Sequence, residues 1–249
     1  MKRIYLWLRV IFYFFLSLRG SKAPILSGDE TVDYVKNNHL SLIRFGDGEF
    51  GIYKGRGISY QEWSKALKDK FEEIKKAYDG DGANSFVLCV PRKYLTISGF
   101  KLLKKRKLVA SWSESRSFFK KHFNQKALYG DAFLFRKGNE RIYEKIWCDG
   151  FYEAFIFIHR DCSYAQSFAE KYKKEVFYVK CPDKNSFESL ESIYKKIDLI
   201  VESKNLNIKT TMILFSYVPA GKILCYDYAK KGFCCIDTGH CWDDPLMER

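Results

Sequence analysis

Short apolar runs alternate with longer segments of helical periodicity through most of the chain. The runs predict strands over residues 40–45, 85–90, 132–136, 154–159, 176–180, 210–215 and 233–237. The segments between them predict helices over residues 29–38, 60–78, 94–105, 114–123, 163–173, 185–203 and 219–231. Strands that alternate with helices favour a single α/β domain over residues 23–249, with a mostly parallel sheet and helices on both faces.

The first predicted strand leads into a glycine-rich stretch, residues 44–51, that carries two carboxylates one residue apart. If this stretch is extended, Asp47 and Glu49 point to the same side and converge on one cation. Mg²⁺ and Mn²⁺ prefer such oxygen ligands and keep open positions for the phosphates of a substrate. A divalent metal site is therefore one interpretation, and an acidic turn that caps the next element is the other.

Three glycines in this stretch, at positions 46, 48 and 51, also match the spacing of a dinucleotide-binding loop. That loop holds a bare pyrophosphate at the start of a helix, where acidic side chains would repel it. The residues after Gly51 do not predict the opening of a helix either. We therefore expect the carboxylates to be the functional groups.

The formal net charge of +13 is unevenly distributed, because residues 92–126 contain eleven Lys or Arg and only one acid, Glu114. A basic surface of this kind suits phosphates, nucleic acid or an anionic membrane. The eight cysteines form no C-x-x-C pair, which argues against a zinc ribbon, and several lie in apolar runs. Buried free thiols indicate a reducing compartment and thus a cytoplasmic protein.

Residues 1–22 form a separate apolar segment with basic flanks. Its apolar part, residues 4–18, is shorter than the roughly twenty residues that span a bilayer as a helix. An in-plane helix at the inner surface of the cell membrane fits the basic flanks and the aromatic content. The alternative is a helix that packs on the domain or on a partner chain.

Further polar residues follow the predicted strands, on the edge of the sheet where α/β proteins bind ligands. Asp131 and Arg136 flank one strand, and Asp237 and His240 follow the last one. Each of them also has a structural interpretation, as a surface charge or a buried hydrogen-bonding group. In the same way, Asn185 fits an N-cap as well as a ligand contact.

These motifs, taken in order, resemble the GT-D family of bacterial glycosyltransferases. The resemblance covers roughly residues 30–245 and rests on four segments: Phe45 to Glu49, Tyr129 to Phe133, Pro182 with Lys184 to Phe187, and Lys222 to Asp227 followed by Ile236 to His240. It implies a Rossmann-like fold, a nucleotide-sugar donor such as UDP-glucose, and a divalent metal held by Asp47 and Glu49. The loop from Tyr217 to Gly221 departs from the family pattern.

Sugar transfer from a nucleoside diphosphate requires charge neutralisation at the leaving diphosphate and, for inversion, a base at the acceptor hydroxyl. The candidates for the base are Asp131, Asp237 and His240. We expect the donor to contact seven residues of the strand ends and loops: Arg44, Gly46, Gly48, Arg136, Lys184, Asn185 and Pro219. A glycan, a lipid-linked sugar or a glycoprotein is the expected acceptor.

Two other functions are compatible with parts of the sequence. The same carboxylate pair would serve a metal-dependent phosphohydrolase or nucleotidyltransferase. The basic residues 92–126 would serve a nucleic-acid-binding protein, but no known nucleic-acid-binding motif surrounds them. We therefore expect a glycosyltransferase that does not bind nucleic acid.

Overall fold

Seven parallel strands form one sheet in the computed structural model, which describes residues 2–79, 85–104, 106–148, 150–217, 219–239 and 241–243. The strands are β1 (Ser41–Arg44), β2 (Phe86–Val90), β3 (Gly130–Asp131), β4 (Ala154–His159), β5 (Glu175–Lys180), β6 (Thr211–Phe215) and β7 (Cys234–Asp237). Their order across the sheet is β3-β2-β1-β7-β6-β4-β5. The predicted α/β domain with a parallel sheet is confirmed.

The central strands are covered on both faces, which explains their continuous apolar sequences. Residues 86–90, 154–159, 211–215 and 234–237 are buried throughout, whereas the edge strand β5 is mostly exposed or half-buried. Successive residues enter opposite cores: Ile156 packs in the core on one face, and Phe155 packs in the core on the other.

Helices fill both faces of the sheet. They are α1 (Lys2–Leu16), α2 (Gly28–Asn37), α3 (Asp47–Tyr53), α4 (Lys65–Asp79), α5 (Arg92–Leu95), α6 (Gly99–Leu103), α7 (Arg106–His122), α8 (Glu140–Trp147), α9 (Cys162–Tyr172), α10 (Leu190–Ser203) and α11 (Gly221–Lys230). Apolar side chains of α3, α4, α7, α10 and α11 pack in the core that contains Ile156, and those of α2, α8 and α9 pack in the core that contains Phe155.

Several predicted boundaries are wrong for identifiable local reasons. Residues 132–136 form turns rather than a strand. The side chain of Asp131 accepts a hydrogen bond from the N–H of Phe133 (3.0 Å), which turns the backbone and ends β3. The predicted helix 60–78 begins only at Lys65, after a β-bridge between Ile58 and Gln61. Helix α8 was not predicted at all, and the segment 94–105 is divided between α5 and α6.

Helix α1 lies against α7 and leaves much of its surface exposed. Val10 and Ser17 are buried, whereas most of the aromatic side chains of α1 face outward. Within the described residues, the helices are too short or too polar to cross a membrane. The segment is helical, as both interpretations of the sequence require.

Strand β3, which carries Asp131, requires a glycine at position 130, because Gly130 packs directly on Cys89 and Thr31. A Cβ atom at position 130 would lie 2.5 Å from Cys89 Sγ and 2.8 Å from Thr31 Cγ2. We expect Gly130→Ala to lower the free energy of unfolding by about 1–3 kcal/mol, as overpacked cores do. Gly150→Ala is the control, since a Cβ atom there has no neighbour within 4 Å. Equal stability of the two variants in urea denaturation would contradict this packing.

Candidate active site

A cleft of about 540 Å³ opens at the carboxyl ends of β1 and β7, beside the turns that follow β3. This is the edge at which parallel α/β sheets bind their ligands. The cleft has charged and aromatic walls, and its lining residues are Arg44, Gly46, Glu49, Tyr60, Pro91, Ala132, Phe133, Phe135, Arg136, Lys137, Lys222 and Gly239. Four of the twelve, Arg44, Gly46, Glu49 and Arg136, were predicted as site residues.

Arg44, the last residue of β1, connects three neighbouring segments. Its backbone N–H donates to Asp237 Oδ2 (3.1 Å), and its Nε donates to the Asp237 carbonyl (2.8 Å). Its Nη1 donates to the carbonyl of Ala132 (3.3 Å). Gly239 packs on the guanidinium with φ 53°, and a Cβ atom there would lie 1.9 Å from Arg44 Nη2. Only glycine is compatible with this approach.

The ammonium group of Lys222 lies between two buried carboxylates. Its Nζ is 3.3 Å from Glu49 Oε1 and 3.2 Å from Asp237 Oδ2, and all three side chains are almost inaccessible to water. Burial raises the pKa of Asp237, but Lys222 and Arg44 outweigh that effect, so the net pKa is lowered. Burial lowers the pKa of Lys222, but Asp237 and Glu49 outweigh it, so the net pKa is raised. Lys222 and Asp237 therefore form an ion pair at neutral pH.

The two carboxylates after β1 belong to a helix rather than to an extended segment. Helix α3 begins at Asp47, and Glu49 Oε2 accepts a hydrogen bond from the Gly46 N–H (2.6 Å). This bond caps the helix, as the capping interpretation predicts. The expectation that Asp47 and Glu49 point to one side of an extended chain is wrong, because residues two apart on a helix do not face each other.

Asp47 is exposed, whereas Glu49 is buried. The packing around Asp47 and, second, the negative charge of Glu49 raise the pKa of the Asp47 carboxyl group. Asp47 is therefore the accessible one of the two carboxylates, whereas the negative charge of Glu49 is balanced by Lys222.

The contacts that the two carboxylates already make limit how they could hold a metal. One oxygen of Glu49 accepts from Gly46 and the other pairs with Lys222, which leaves Asp47 as the more accessible ligand. The described residues contain no group of three or more His, Cys, Asp or Glu able to hold a metal. An ion such as Mg²⁺, which often takes one or two carboxylates together with substrate phosphates, would therefore be held mainly through Asp47.

The turns after β3 present Arg136 and position Asp131. Arg136 is exposed and stacks over the ring of Phe133 at 3.4 Å, and no carboxylate of the described residues forms an ion pair with it. Asp131 Oδ1 accepts hydrogen bonds from the N–H groups of Phe133 (3.0 Å) and Arg92 (3.3 Å). Burial raises the pKa of Asp131 above its ordinary value, although Arg92 and Arg136 act in the opposite direction.

A second cleft of about 350 Å³ adjoins the first and shares Tyr60 and Gly239 with it. Lys184, which was predicted to contact the donor, lines this second cleft. Asn185 holds the Tyr60 segment instead of lining either cleft. Its N–H donates to the Tyr60 carbonyl (2.9 Å), and its side-chain oxygen accepts from the Glu62 N–H (3.2 Å).

The remaining predicted residues have other positions. Pro219 lies in the buried turn before α11, and its carbonyl accepts from the Lys222 N–H (3.2 Å). Gly48 packs near Ile58 and does not line the cleft. His240 lies outside the described residues.

Eight of the twelve lining residues were not predicted as site residues, and they include Lys222, Tyr60, Phe133 and Phe135. Lys222 carried a recognisable signal, because it is a lone cation before the apolar segment Ile223 to Cys225. Both phenylalanines were taken as strand residues. Tyr60 has no local signal, since its position depends on Asn185, which is 125 residues away in the chain.

Because Lys222 is buried between two carboxylates, its loss should lower the stability of the protein much more than the loss of an exposed lysine. Lys222→Met leaves Glu49 buried without a cation and Asp237 with Arg44 alone, so we expect a loss of about 3–5 kcal/mol in the free energy of unfolding at pH 7. Lys65→Met is the control, because its ion pair with Asp69 is exposed and contributes less than about 0.5 kcal/mol. Urea denaturation measures both values, and equal losses would contradict the network.

The same pair of proteins tests the sign of the pH dependence. The stabilising contribution of the Asp237 carboxylate is complete above its unfolded pKa of about 3.9 and is lost as the pH falls through its lowered folded pKa. The difference in stability between the wild type and Lys222→Met should therefore shrink in strong acid. A difference that grows on acidification would contradict the charge assignment.

Comparisons with known proteins agree with this fold. The family model described as glycosyltransferase GT-D fold matches residues 42–162 and 166–244. A probable glycosyl transferase Gly of Streptococcus gordonii is 21% identical over 87% of this chain, and the glycosyltransferase GlyD of Streptococcus pneumoniae serotype 4 is 21% identical over 85%. The chain covers only 32% and 26% of the lengths of these relatives.

Two solved structures share the fold. One is described as the domain of unknown function 1792 with a distinct glycosyltransferase fold, and it aligns with a TM-score of 0.70 and 22% identity over 92% of this chain and 81% of its own. The other is a glycosyltransferase with this domain from Streptococcus sanguinis, with a TM-score of 0.67 and 21% identity over 88% and 82%. Since the family model matches most of the chain, the protein belongs to the glycosyltransferase GT-D fold family.

Proposed function

We propose that this domain transfers a sugar from a nucleotide-sugar donor, similar to UDP-glucose, to a hydroxyl group of a bacterial glycan or glycoprotein. One observation supports this most strongly: the cleft of a GT-D family member is lined by Arg136, Arg44, Lys222 and Glu49, and the exposed carboxylate of Asp47 lies two residues before Glu49 at the start of α3. Cations meet the charge of a diphosphate, and carboxylates provide for a metal that shares it.

Arg136 is the cation best placed to bind the diphosphate of the donor. Arg44 and Lys222 already pair with Asp237, whereas Arg136 is exposed and pairs with no carboxylate of the described residues. Its stacking on Phe133 restricts its side chain before the donor arrives, which lowers the entropic cost of binding. A planar guanidinium also matches the phosphate oxygens in a bidentate manner.

Asp47 and Glu49 are the proposed ligands of a divalent metal, Mn²⁺ or Mg²⁺. When bound, such an ion acts as a Lewis acid on the leaving diphosphate. The chain contributes the arrangement around it: Lys222 and the Gly46 N–H fix the carboxylate of Glu49 in one orientation. Asp47 remains accessible at the start of α3.

Asp131 is the proposed general base if the reaction inverts the anomeric centre. Its carboxyl group precedes the cleft residues Ala132 and Phe133, and two backbone N–H groups orient it through Oδ1. Asp237 is unsuited to this role, because it is buried and paired with Lys222 and Arg44.

We further propose that the domain works at the cytoplasmic face of the cell membrane, where lipid-linked and glycan acceptors are available. The exposed apolar side chains of α1 support this placement, because a basic amphipathic helix of this length lies in the membrane surface. Free, mostly buried cysteines in the described part agree with a reducing compartment.

The metal assignment predicts the effect of neutralising Asp47. Because Asp47 is exposed, Asp47→Asn should retain the wild-type melting temperature and lose Mn²⁺-dependent sugar transfer by about 10²-fold or more. Glu49→Gln should lose transfer and also stability, since it leaves Lys222 with one buried partner. Asp69→Asn, an exposed change on α4, serves as the control. Turnover like that of the wild type in both site variants would refute the assignment.

The assignment of Asp131 predicts a change in rate with little change in structure. Asn retains an oxygen for the N–H groups of Phe133 and Arg92, so Asp131→Asn should fold normally and bind the donor. We expect its transfer to the acceptor to fall about 10²–10⁴-fold. In the wild type the base is active when deprotonated, and burial raises its pKa. The rate should therefore fall as the pH falls through this raised pKa. An unchanged pH–rate profile in Asp131→Asn would exclude Asp131 as the base.

A further inference from the structure

A third cleft, of about 570 Å³, lies between α1, the end of α3 and α7. It shares no residue with the two clefts at the sheet edge. Its polar part contains Lys54, Arg56, Glu114 and Lys121, and its other side is formed by apolar residues of α1 such as Phe12 and Leu16. The proposed sugar transfer makes no use of this cleft.

The cleft has an excess of positive charge. Glu114 is its sole acidic residue, and three cations converge on that one carboxylate: Arg56 at 3.0 Å, Lys54 at 3.5 Å and Arg9 at 3.8 Å. Lys121 adds a further positive charge to the lining. One carboxylate cannot neutralise these groups, so an anion in the cleft would be held by charge-assisted contacts.

Lys54 is the most confined of these cations. Its Nζ is buried, lies 5.0 Å from the centre of the Phe118 ring, and has no hydrogen-bond acceptor among the described residues. Its one carboxylate contact, with Glu114 at 3.5 Å, is long for a hydrogen bond. Burial lowers the pKa of Lys54 to about 8, although Glu114 acts against this shift. A buried ammonium without an acceptor is costly, and a phosphate oxygen would supply the acceptor.

The outer surfaces of α1 and α6 are unusually apolar. On α1, Trp7 is 62% exposed and Phe15 is 67% exposed, and Phe100 of α6 is 65% exposed. Helix α6 begins beside the end of α1, because the Gly99 N–H donates to the Leu18 carbonyl (2.6 Å). Both helices pack on α7. Aromatic side chains of this kind favour the boundary between lipid headgroups and acyl chains.

We propose that this cleft binds the phosphate of an anionic phospholipid headgroup while the outer surface of α1 lies in the membrane interface. This inference rests on the membrane-surface part of the proposed function and adds a defined headgroup site to it. A phospholipid fits both halves of the cleft, since its phosphate meets Lys54 and Arg56 and its glycerol and acyl region meets Phe12 and Leu16. A soluble phosphate would use only the basic half.

Vesicle co-sedimentation of the full chain tests the headgroup site. The probes are phosphatidylcholine vesicles with and without phosphatidylglycerol. Each basic residue near an anionic surface contributes about 1 kcal/mol, so Lys54→Gln/Arg56→Gln should bind the anionic vesicles about tenfold more weakly or worse. Lys65→Gln/Lys70→Gln removes the same charge from exposed pairs on α4 and should bind like the wild type.

A third variant reverses the sign of the effect. Glu114→Gln removes the one acid that opposes the cations, so its binding to anionic vesicles should be tighter than that of the wild type. Hydrolysis of UDP-glucose without vesicles should be unchanged in the Lys54→Gln/Arg56→Gln variant, because neither residue lines the clefts at the sheet edge. This readout also shows that the variant is folded.

The results of these binding measurements distinguish three ways in which the headgroup proposal could be wrong. Equal losses in the two double variants would overturn the headgroup site and leave only general electrostatic attraction. Equal binding of the wild type to both kinds of vesicle, together with a thermal shift by inorganic phosphate that requires Lys54, would assign the cleft to a soluble anion. Binding to neither kind of vesicle would overturn membrane docking as well. Loss of UDP-glucose hydrolysis in Asp47→Asn tests the proposed activity independently of all three.

Discussion

The buried ammonium of Lys222 is the constraint on which the arrangement of the active-site edge depends. It joins α11 to α3 through Glu49 and to β7 through Asp237, which in turn binds Arg44 at the end of β1. Buried charges are tolerated only when each has a partner. The four groups therefore fix one another, and two strand ends and two helix starts are held at a common point at the edge of the sheet.

This network also divides the charged residues of the cleft into two kinds. Lys222, Asp237 and much of Arg44 are committed to the fold, whereas Arg136 and Asp47 remain exposed beside the cleft. A substrate would meet the exposed pair without disturbing the buried charges. The division explains how one site can hold several ion pairs and still offer a cation and a carboxylate to a ligand. Preorganisation of this kind reduces the cost of binding a charged donor.

The sequence predicted the sheet well because its central strands are buried on both faces and therefore appear as continuous apolar runs. It failed where the decisive contact is distant or specific in geometry. Residues 132–136 are as apolar as a strand, but the Asp131 carboxylate turns the backbone. Lys222 was overlooked as a site residue, because its two partners come from positions 49 and 237. The sequence around a residue does not show which distant residues it pairs with in the folded protein.

Helix α3 places the two proposed functions at opposite ends of one short element. It begins at Asp47, two residues before Glu49 of the active-site cleft, and Lys54 of the third cleft directly follows its last residue, Tyr53. Seven helical residues span about 10 Å, so the headgroup cleft and the carboxylates lie within about the length of a sugar ring or two. An acceptor attached to a lipid at the proposed headgroup cleft would have to span only this distance to reach Glu49 at the active-site cleft. The separation is fixed by helix geometry rather than by a flexible linker, so the two proposed sites would keep a constant distance from each other.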